Sequence, residues 1–218
     1  MVMKNRCIRN CLLCLSFFSL GRFVVAEEVV HLPEGAEIQH GNINIATQQN
    51  SMQVGQSSQY GIIDWQSFSI GSGADVHFDN GAGSTLNRVV GVDVSNIDGR
   101  LTSTGNLFLL NQNGIIFGEN GSVLTGGDFV ASTLDLSNED FLNGGNLSFS
   151  GLSQGRITNL GKISSTGGNV FLTAYSLTNS GAVEAPKGRV GLATGTAIDI
   201  LTDVSWANGA FTFSFITL

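Results

Sequence analysis

Short runs in which apolar residues alternate with polar ones recur along the chain, separated by glycine and asparagine. Gly41–Thr47 and Ala74–Phe78 alternate cleanly, and Gly61–Ile70 places Trp65 and Phe68 among apolar neighbours. Alternation with a period of two predicts strands that bury one face. Glycine and asparagine are expected to supply the positive φ of the sharp corners between such strands. Because apolar residues at helical spacing are hard to find, the pattern predicts an all-β protein.

A unit of about 20 residues repeats in the second half of the chain, a period typical of solenoids. Ile157–Ala174 aligns without gaps on Leu177–Thr194, and shorter copies lie at Arg100–Leu109 and Gly121–Thr133. A propeller blade needs about 40–45 residues, whereas two short strands with glycine corners fit one coil of a parallel β-helix. We therefore predict a right-handed parallel β-helix of roughly nine coils, stacked at about 4.8 Å.

The repeat predicts which side chains stack on one another. Three apolar pairs one unit apart are expected inside the rod: Ile163 with Val183, Val170 with Val190, and Leu172 with Leu192. Asn159 and Asn179 share a corner, where they form either a hydrogen-bonded ladder or simply two turns. Residues 27–60 are expected to cap the N-terminal end. Asn138–Gly145 interrupts the repeat and is expected to be a loop or a β excursion from the rod.

Composition and the first residues narrow the class of protein. With 42% hydrophobic and only 12% charged residues, the chain is expected to fold despite its 29 glycines. Ten lysines and arginines without a basic patch argue against nucleic-acid binding. Residues 1–26 predict a signal peptide, because basic residues precede the apolar stretch Cys11–Leu20, which is too short to span a bilayer. Cleavage between Ala26 and Glu27 would remove all three cysteines.

Several segments in a fixed order carry a family resemblance. They are Trp65–Gly73, Leu86–Gly91, Ile97–Leu101, Gly105–Leu110, Asn111–Gly118 and Phe129–Leu134. So arranged, the chain from about residue 30 to about residue 200 resembles the N-terminal secretion domain of filamentous haemagglutinin-like exoproteins, the substrates of two-partner secretion. The family motif usually reads Asn-Pro-Asn-Gly-Ile, but Gln112 replaces the proline and loosens the corner slightly. A second family motif, Asn-Pro-Asn-Leu, is absent, and the chain ends at Leu218 although family members are typically very long.

The resemblance implies a secretion-targeting domain of a surface adhesin. The chain would pass through the periplasm, where a dedicated outer-membrane β-barrel transporter with periplasmic docking domains would recognise it. It would then fold as a β-helix and be secreted or remain at the cell surface, without stable membrane insertion. A host or neighbouring cell surface would be a further partner. Residues 27–205 would form the secretion domain, and residues 206–218 a C-terminal strand or the truncated start of a following repeat region.

Two groups of residues are candidates for the functional site. The first is the corner motif, formed by Asn111, Gln112, Asn113, Gly114 and Ile115. Two roles are open for this motif: the transporter recognises it, or it is a turn that nucleates the fold. Asparagine and glycine are typical turn residues, which favours the second role. The other candidate group is a recognition segment, formed by Trp65, Phe68, Asn87 and Arg88.

Two other functions remain to be weighed. Parallel β-helices also host polysaccharide lyases and hydrolases, but fold alone does not establish an activity. The candidate acids recur at no common coil position: Asp64, Asp93, Asp98, Asp135, Glu139, Asp140 and Asp199. His31, His40 and His77 lack ligand spacing, so we expect no enzymatic activity, cofactor or metal. The alternative function is a stand-alone adhesive β-helix that binds cell surfaces or carbohydrate. Its phenylalanine-rich end, Phe211–Phe215, could stack into oligomers, but a truncated core strand is the favoured interpretation.

Overall fold

The computed structural model describes residues 31–201 and 214–215, and its strands stack into a parallel β-solenoid of about seven layers. Sheet 1 contains β4 (Tyr60–Trp65), β6 (Ser84–Val89), β9 (Asn106–Leu110), β12 (Phe129–Ser132), β17 (Val170–Ala174) and β20 (Val190–Thr194). Sheet 2 contains β3 (Ser51–Gln56), β5 (Asp75–Asp79), β8 (Arg100–Ser103), β11 (Ser122–Thr125), β16 (Lys162–Ser165) and β19 (Ala182–Glu184). Sheet 3 contains β7 (Ser95–Ile97), β10 (Ile115–Phe117), β15 (Arg156–Asn159) and β18 (Ser176–Asn179). The predicted all-β parallel solenoid is confirmed.

The register of the strands gives the length of each coil. Leu101 pairs with Val123, so this coil is slightly longer than the repeat unit, whereas the pairing of Ile163 with Val183 matches the unit itself. Val123 pairs with Ile163, nearly two coil lengths further along the chain, because the chain leaves the rod between these two coils. The prediction of nine coils was therefore wrong, since most coils are longer than the repeat unit and the excursion uses the length of another coil.

The interior is a continuous column of apolar side chains. Ile163, Val170 and Leu172 are fully buried, as the repeat predicts. Val190 and Leu192 are in register with Val170 and Leu172, yet they are 43% and 44% exposed. They belong to the last described coil, so the apolar interior is open at that end.

The glycines at the repeated corners are needed for close approach of the backbone. A Cβ atom on Gly181 would lie 2.1 Å from the carbonyl oxygen of Gly161 in the coil before it. Gly188 has the same relation to Gly168. None of these four glycines has a positive φ, so the expectation that corner glycines supply positive φ was wrong at these positions.

Asn159 and Asn179 form a hydrogen-bonded ladder at their shared corner. The Nδ2 of Asn159 donates to the Oδ1 of Asn179 at 2.7 Å, along the axis of the solenoid. The oxygen of Asn159 accepts from the backbone N–H of Gly161 at 3.2 Å, so the same side chain also closes its own corner. Both the ladder and the turn that the repeat suggested are present.

The N-terminal end is capped by antiparallel strands. β1 (Glu37–His40) pairs antiparallel with β4, and β2 (Ile43–Gln48) pairs antiparallel with β3. β3 itself pairs parallel with β5, so Ser51–Gln56 belongs to the first coil. The cap is thus shorter than the predicted 27–60. The predicted signal peptide with its cut at Ala26–Glu27, and residues 206–218 apart from two of them, lie outside the described residues.

An outer flap covers one face of the rod. It consists of β13 (Asp135–Leu136), helix α1 (Asn138–Asn143), β14 (Leu147–Ser150) and β21 (Ala197–Ile200), with β22 (Ser214–Phe215) on its edge. The outward apolar residues of sheet 1, among them Phe108, Val130 and Phe171, pack against Phe141 and Phe149 of the flap. The predicted excursion at residues 138–145 is present, although it holds a short helix.

Candidate functional site

The corner motif is a tight turn between β9 and β10. The N–H of Gly114 donates to the carbonyl of Asn111 at 3.1 Å, and Gly114 has a φ of 128°, which a side chain rarely adopts. The Oδ1 of Asn111 accepts from the backbone N–H of Asn113 at 2.9 Å, so the side chain closes the turn a second time. Ile115 follows as a fully buried residue that pairs with Ser95 and with β15.

The amide groups of the motif hold the backbone of the preceding coil. The Nδ2 of Asn111 donates to the carbonyl of Asp93 and to the Oγ of Ser95, both at 2.9 Å. The Nδ2 of Asn113 donates to the carbonyl of Gly91 at 2.9 Å. We call these three bonds the asparagine clamp. Because amides that pair with backbone carbonyls satisfy groups the corner would otherwise leave unpaired, the clamp fixes one coil on the next.

Gln112 connects the motif to the following coil through its backbone. Its carbonyl accepts a hydrogen bond from the Oγ of Ser153, and a Cβ on Gly155 would lie 2.5 Å from that oxygen. The Gln112 side chain itself is exposed. Glutamine therefore occupies the usual proline position of the family motif at a corner that is held from the preceding coil and from the following one.

Three residues of the candidate recognition segment lie inside the folded domain. Trp65 and Phe68 are 1% exposed and meet edge to face, with ring centroids 5.5 Å apart. The indole Nε1 of Trp65 donates to the Oδ1 of Asn87 at 3.0 Å, and the Nδ2 of Asn87 donates to the carbonyl of Phe108 at 3.1 Å. A partner could reach these side chains only in a chain that has not yet folded.

Arg88, the fourth residue of that segment, fastens the outer flap to the rod. Its Nε donates to Asp135 at 2.9 Å and its Nη1 to Asp64 at 3.3 Å, while its Nη2 donates to the carbonyl of Leu136 at 2.6 Å. Asp64 lies on the same sheet as Arg88, whereas Asp135 and Leu136 belong to the flap. The guanidinium thus bridges two parts of the fold that are far apart in sequence.

The candidate acids do not converge on one site, although Asp93 and Asp98 line the same cleft. Asp64 and Asp135 bind Arg88, Asp98 accepts from Asn120, and the others lie on the corner, on α1 or on β21. His77 contacts Thr102, with 2.8 Å between its Nδ1 and the hydroxyl. Within residues 31–201, no group of three histidines, cysteines or carboxylates could hold a metal ion. No helix in the part of the chain that the structure describes is long and apolar enough to cross a membrane.

The backbone partners of the clamp could not be assigned from sequence. Gly91, Asp93 and Ser95 lie one coil before the motif, so their contact depends on a coil length that only the register fixes. The outward-facing apolar residues of sheet 1 under the flap could have been recognised from the sequence. Leu107–Leu110 is a continuous apolar run, which is typical of a strand buried on both faces.

Comparison with solved structures places the fold. The structure is similar to the HMW1 secretion domain from Haemophilus influenzae, with a TM-score of 0.74 and 29% identity over 84% of this chain and 49% of that chain. It is also similar to a filamentous hemagglutinin secretion domain, with a TM-score of 0.59 over 82% of this chain and 68% of that chain. At 20% identity the second likeness concerns the fold alone.

Comparison of sequences gives one family and two curated relatives. Residues 30–212 match the TPS secretion domain. Two proteins from Haemophilus influenzae, both called heme/hemopexin-binding protein, are similar to this chain. The first is 32% identical over 174 residues, which are 75% of this chain. The second is 35% identical over 107 residues, which are 48% of this chain. The chain spans only 19% and 11% of the lengths of these relatives.

Proposed function

The chain belongs to the TPS secretion domain family, and on that premise we propose that a dedicated outer-membrane transporter recognises it in the periplasm and that it folds outside the cell. The family consists of non-enzymatic secretion domains of two-partner secreted exoproteins, which cross the outer membrane with a transporter as the second partner. Periplasmic docking domains of the transporter bind the chain while it is still unfolded, and the chain folds after it reaches the cell surface.

Burial of the candidate recognition segment supports recognition before folding. Trp65, Phe68 and Asn87 are buried in the solenoid. If the transporter reads these residues, it meets them in an extended chain. Strand-forming segments of such a chain can add to an exposed sheet edge of a docking domain through main-chain hydrogen bonds.

The stacked architecture supports folding that begins at one end and draws the chain outward. Each coil pairs only with its neighbours in all three sheets, so folding can nucleate locally and propagate without ATP. The predicted signal peptide carries every cysteine of the chain, and its removal at Ala26–Glu27 would leave no thiol to form a disulfide in the periplasm. These features fit a domain that must remain unfolded until it has crossed.

The exported cargo is proposed to be a larger adhesin-like surface protein. The chain spans about a fifth of the relative that it matches over most of its own length. The open interior at Val190 and Leu192 is where further coils would continue, with residues 206–218 as a strand or the start of that region. Binding of heme or hemopexin is what the names of the relatives state for those proteins, and adhesion is the activity that we propose for this one.

Secretion with and without the transporter tests the proposal. The gene is expressed in a Gram-negative host together with the gene of its outer-membrane transporter, and the protein is quantified in the medium, on the cell surface and in the periplasm. We expect extracellular protein only when the barrel is present, and periplasmic protein that is sensitive to protease when it is absent. Equal extracellular amounts without the barrel would refute the proposed route.

A further inference from the structure

The N-terminal edge of sheet 2 is an unpaired strand. β2 forms this edge, and it pairs on one side with β3, antiparallel and in regular register. The N–H of Ser57 donates to the carbonyl of Asn42 at 3.1 Å, so these two residues form a hydrogen-bonded pair of the ladder. Because hydrogen-bonded and non-hydrogen-bonded pairs alternate along an antiparallel ladder, the backbone groups of Ile43, Ile45 and Thr47 point away from β3. In the described part of the chain, no other strand pairs with them.

β2 lacks the features that usually protect an edge strand. Natural edges are commonly blunted by lysine, by proline, by a bulge or by a covering segment. The sequence of β2, Ile-Asn-Ile-Ala-Thr-Gln, contains no charge and no proline, and its register with β3 has no bulge. β1, the other strand of the cap, carries Glu37 and His40, and its register with β4 shifts between Ile38 and His40. β2 is thus the strand of the cap that is open to a further strand.

The sequence of β2 is complementary to a second copy of itself. A two-fold axis at Ile45, perpendicular to the sheet, places Ile45 opposite the same residue of the second copy and Ile43 opposite Thr47. These are the residues whose backbone groups are free, so each pair can exchange both of its backbone hydrogen bonds. On the outer face, Asn44 lies opposite Ala46 of the second copy, so no like charges meet across the joint.

Apolar burial and the position of the charges also favour this pairing. Ile43 and Ile45 pack against the apolar core, but both remain partly exposed at the end of the rod. A second copy covers this surface, and β-branched residues that face each other are favourable cross-strand pairs. The first carboxylates of sheet 2 lie on β5, so those of two copies are about 24 Å apart across the joint. This distance exceeds the Debye length of about 8 Å, and their repulsion is largely screened.

We propose that the folded domain dimerises end to end, with the β2 edges of two copies joined as neighbouring antiparallel strands. Sheet 2 then continues from one copy into the other, and the open end at Val190 of each copy points away from the joint. Because both copies use the same edge, the contact closes at two copies and does not propagate into a fibre. A joint of one strand per copy is small, so the dimer exchanges with the monomer. The edge exists only after folding, and the proposal does not depend on the secretion route.

Sedimentation equilibrium of the mature protein tests the dimer. The wild type should show a concentration-dependent equilibrium between monomer and dimer in the micromolar range. Asn44→Lys/Ala46→Lys places like charges opposite each other across the joint and should weaken dimerisation by about tenfold or more. Asn44→Lys/Ala46→Glu is the matched control, because it changes the same exposed positions but places opposite charges across the joint. This variant should dimerise at least as tightly as the wild type.

Amide hydrogen exchange gives a second readout of the same joint. The N–H groups of Ile43, Ile45 and Thr47 should exchange more slowly as the protein concentration rises, whereas those of Asn44 and Ala46 already face β3 and should not change. A protein that stays monomeric up to about 1 mM would overturn the proposal. Equal association of the two double variants would also overturn it, as would association of Asn44→Lys/Ala46→Lys that matches the wild type and occurs through the other end of the solenoid.

Discussion

Asn111 is the residue of the corner motif that makes the most contacts, and alanine at this position removes all of its side-chain bonds. The amide donates to the Asp93 carbonyl and the Ser95 hydroxyl in the preceding coil. The amide oxygen accepts from the backbone N–H and from the side chain of Asn113. Asn111→Ala therefore releases the turn and the clamp together.

The expected loss follows from which of these groups water can reach. A typical hydrogen bond contributes about 1 kcal/mol net, and a buried polar group left unpaired costs about 1–3 kcal/mol. Asn113 is exposed, so water replaces its lost partner, whereas Ser95 is fully buried and its hydroxyl is left without the amide. We expect Asn111→Ala to lower the free energy of unfolding by about 2–4 kcal/mol.

Urea unfolding followed by far-ultraviolet circular dichroism measures this loss. Asn44→Ala is the control, because Asn44 lies exposed on β2 and its side chain has no hydrogen bond in the described structure. The control should stay within about 0.5 kcal/mol of the wild type, as surface substitutions usually do. A change of that small size in Asn111→Ala would refute the clamp as a source of stability.

Three further predictions concern the corners, the flap and the fold. Gly181→Ala should lower the unfolding free energy by about 2 kcal/mol or more, because the added Cβ would collide with the backbone of Gly161. Gly145→Ala is the control, because a Cβ there meets no atom within 4 Å and should leave stability unchanged. Equal losses in the two variants would contradict the requirement for close approach at Gly181. Arg88→Met should speed amide hydrogen exchange in α1 and β14 more than in β9, and uniform exchange would contradict the fastening role. The mature domain should give a β-type dichroism spectrum, which a strongly helical one would contradict.

The solenoid could be predicted because each coil repeats the same contacts. Ile163 and Val183 occupy equivalent positions one coil apart, so their spacing in sequence reports their stacking in space. The Asn159–Asn179 bond is visible for the same reason. The repeat could not report the exposure of Val190, because exposure depends on what lies beyond the last described coil.

The flap and the clamp were harder to predict because their contacts do not repeat. Arg88 and Asp135 are far apart in sequence, and no second pair at the same spacing marks the link. Asparagine is a common turn residue, so the sequence predicts a turn at Asn111. Its additional bond to the Asp93 carbonyl depends on how successive coils are aligned, which the sequence does not show. The sequence also did not predict the burial of Trp65, because an aromatic residue in a segment shared with the family fits a core position as well as a recognition site.

The structural role of the corner motif is tested most directly by comparing secretion at matched stability. Asn111→Ala changes the corner motif, whereas Gly181→Ala changes a corner outside it. When the two variants have the same unfolding free energy, any difference in their secretion comes from the motif as a signal and not from lost stability. The secreted fraction is measured for both with the transporter present. If folding draws the chain outward, both variants should accumulate in the periplasm to the same extent. Normal secretion of the Gly181 variant, together with retention of Asn111→Ala, would contradict this and show that the motif itself is recognised.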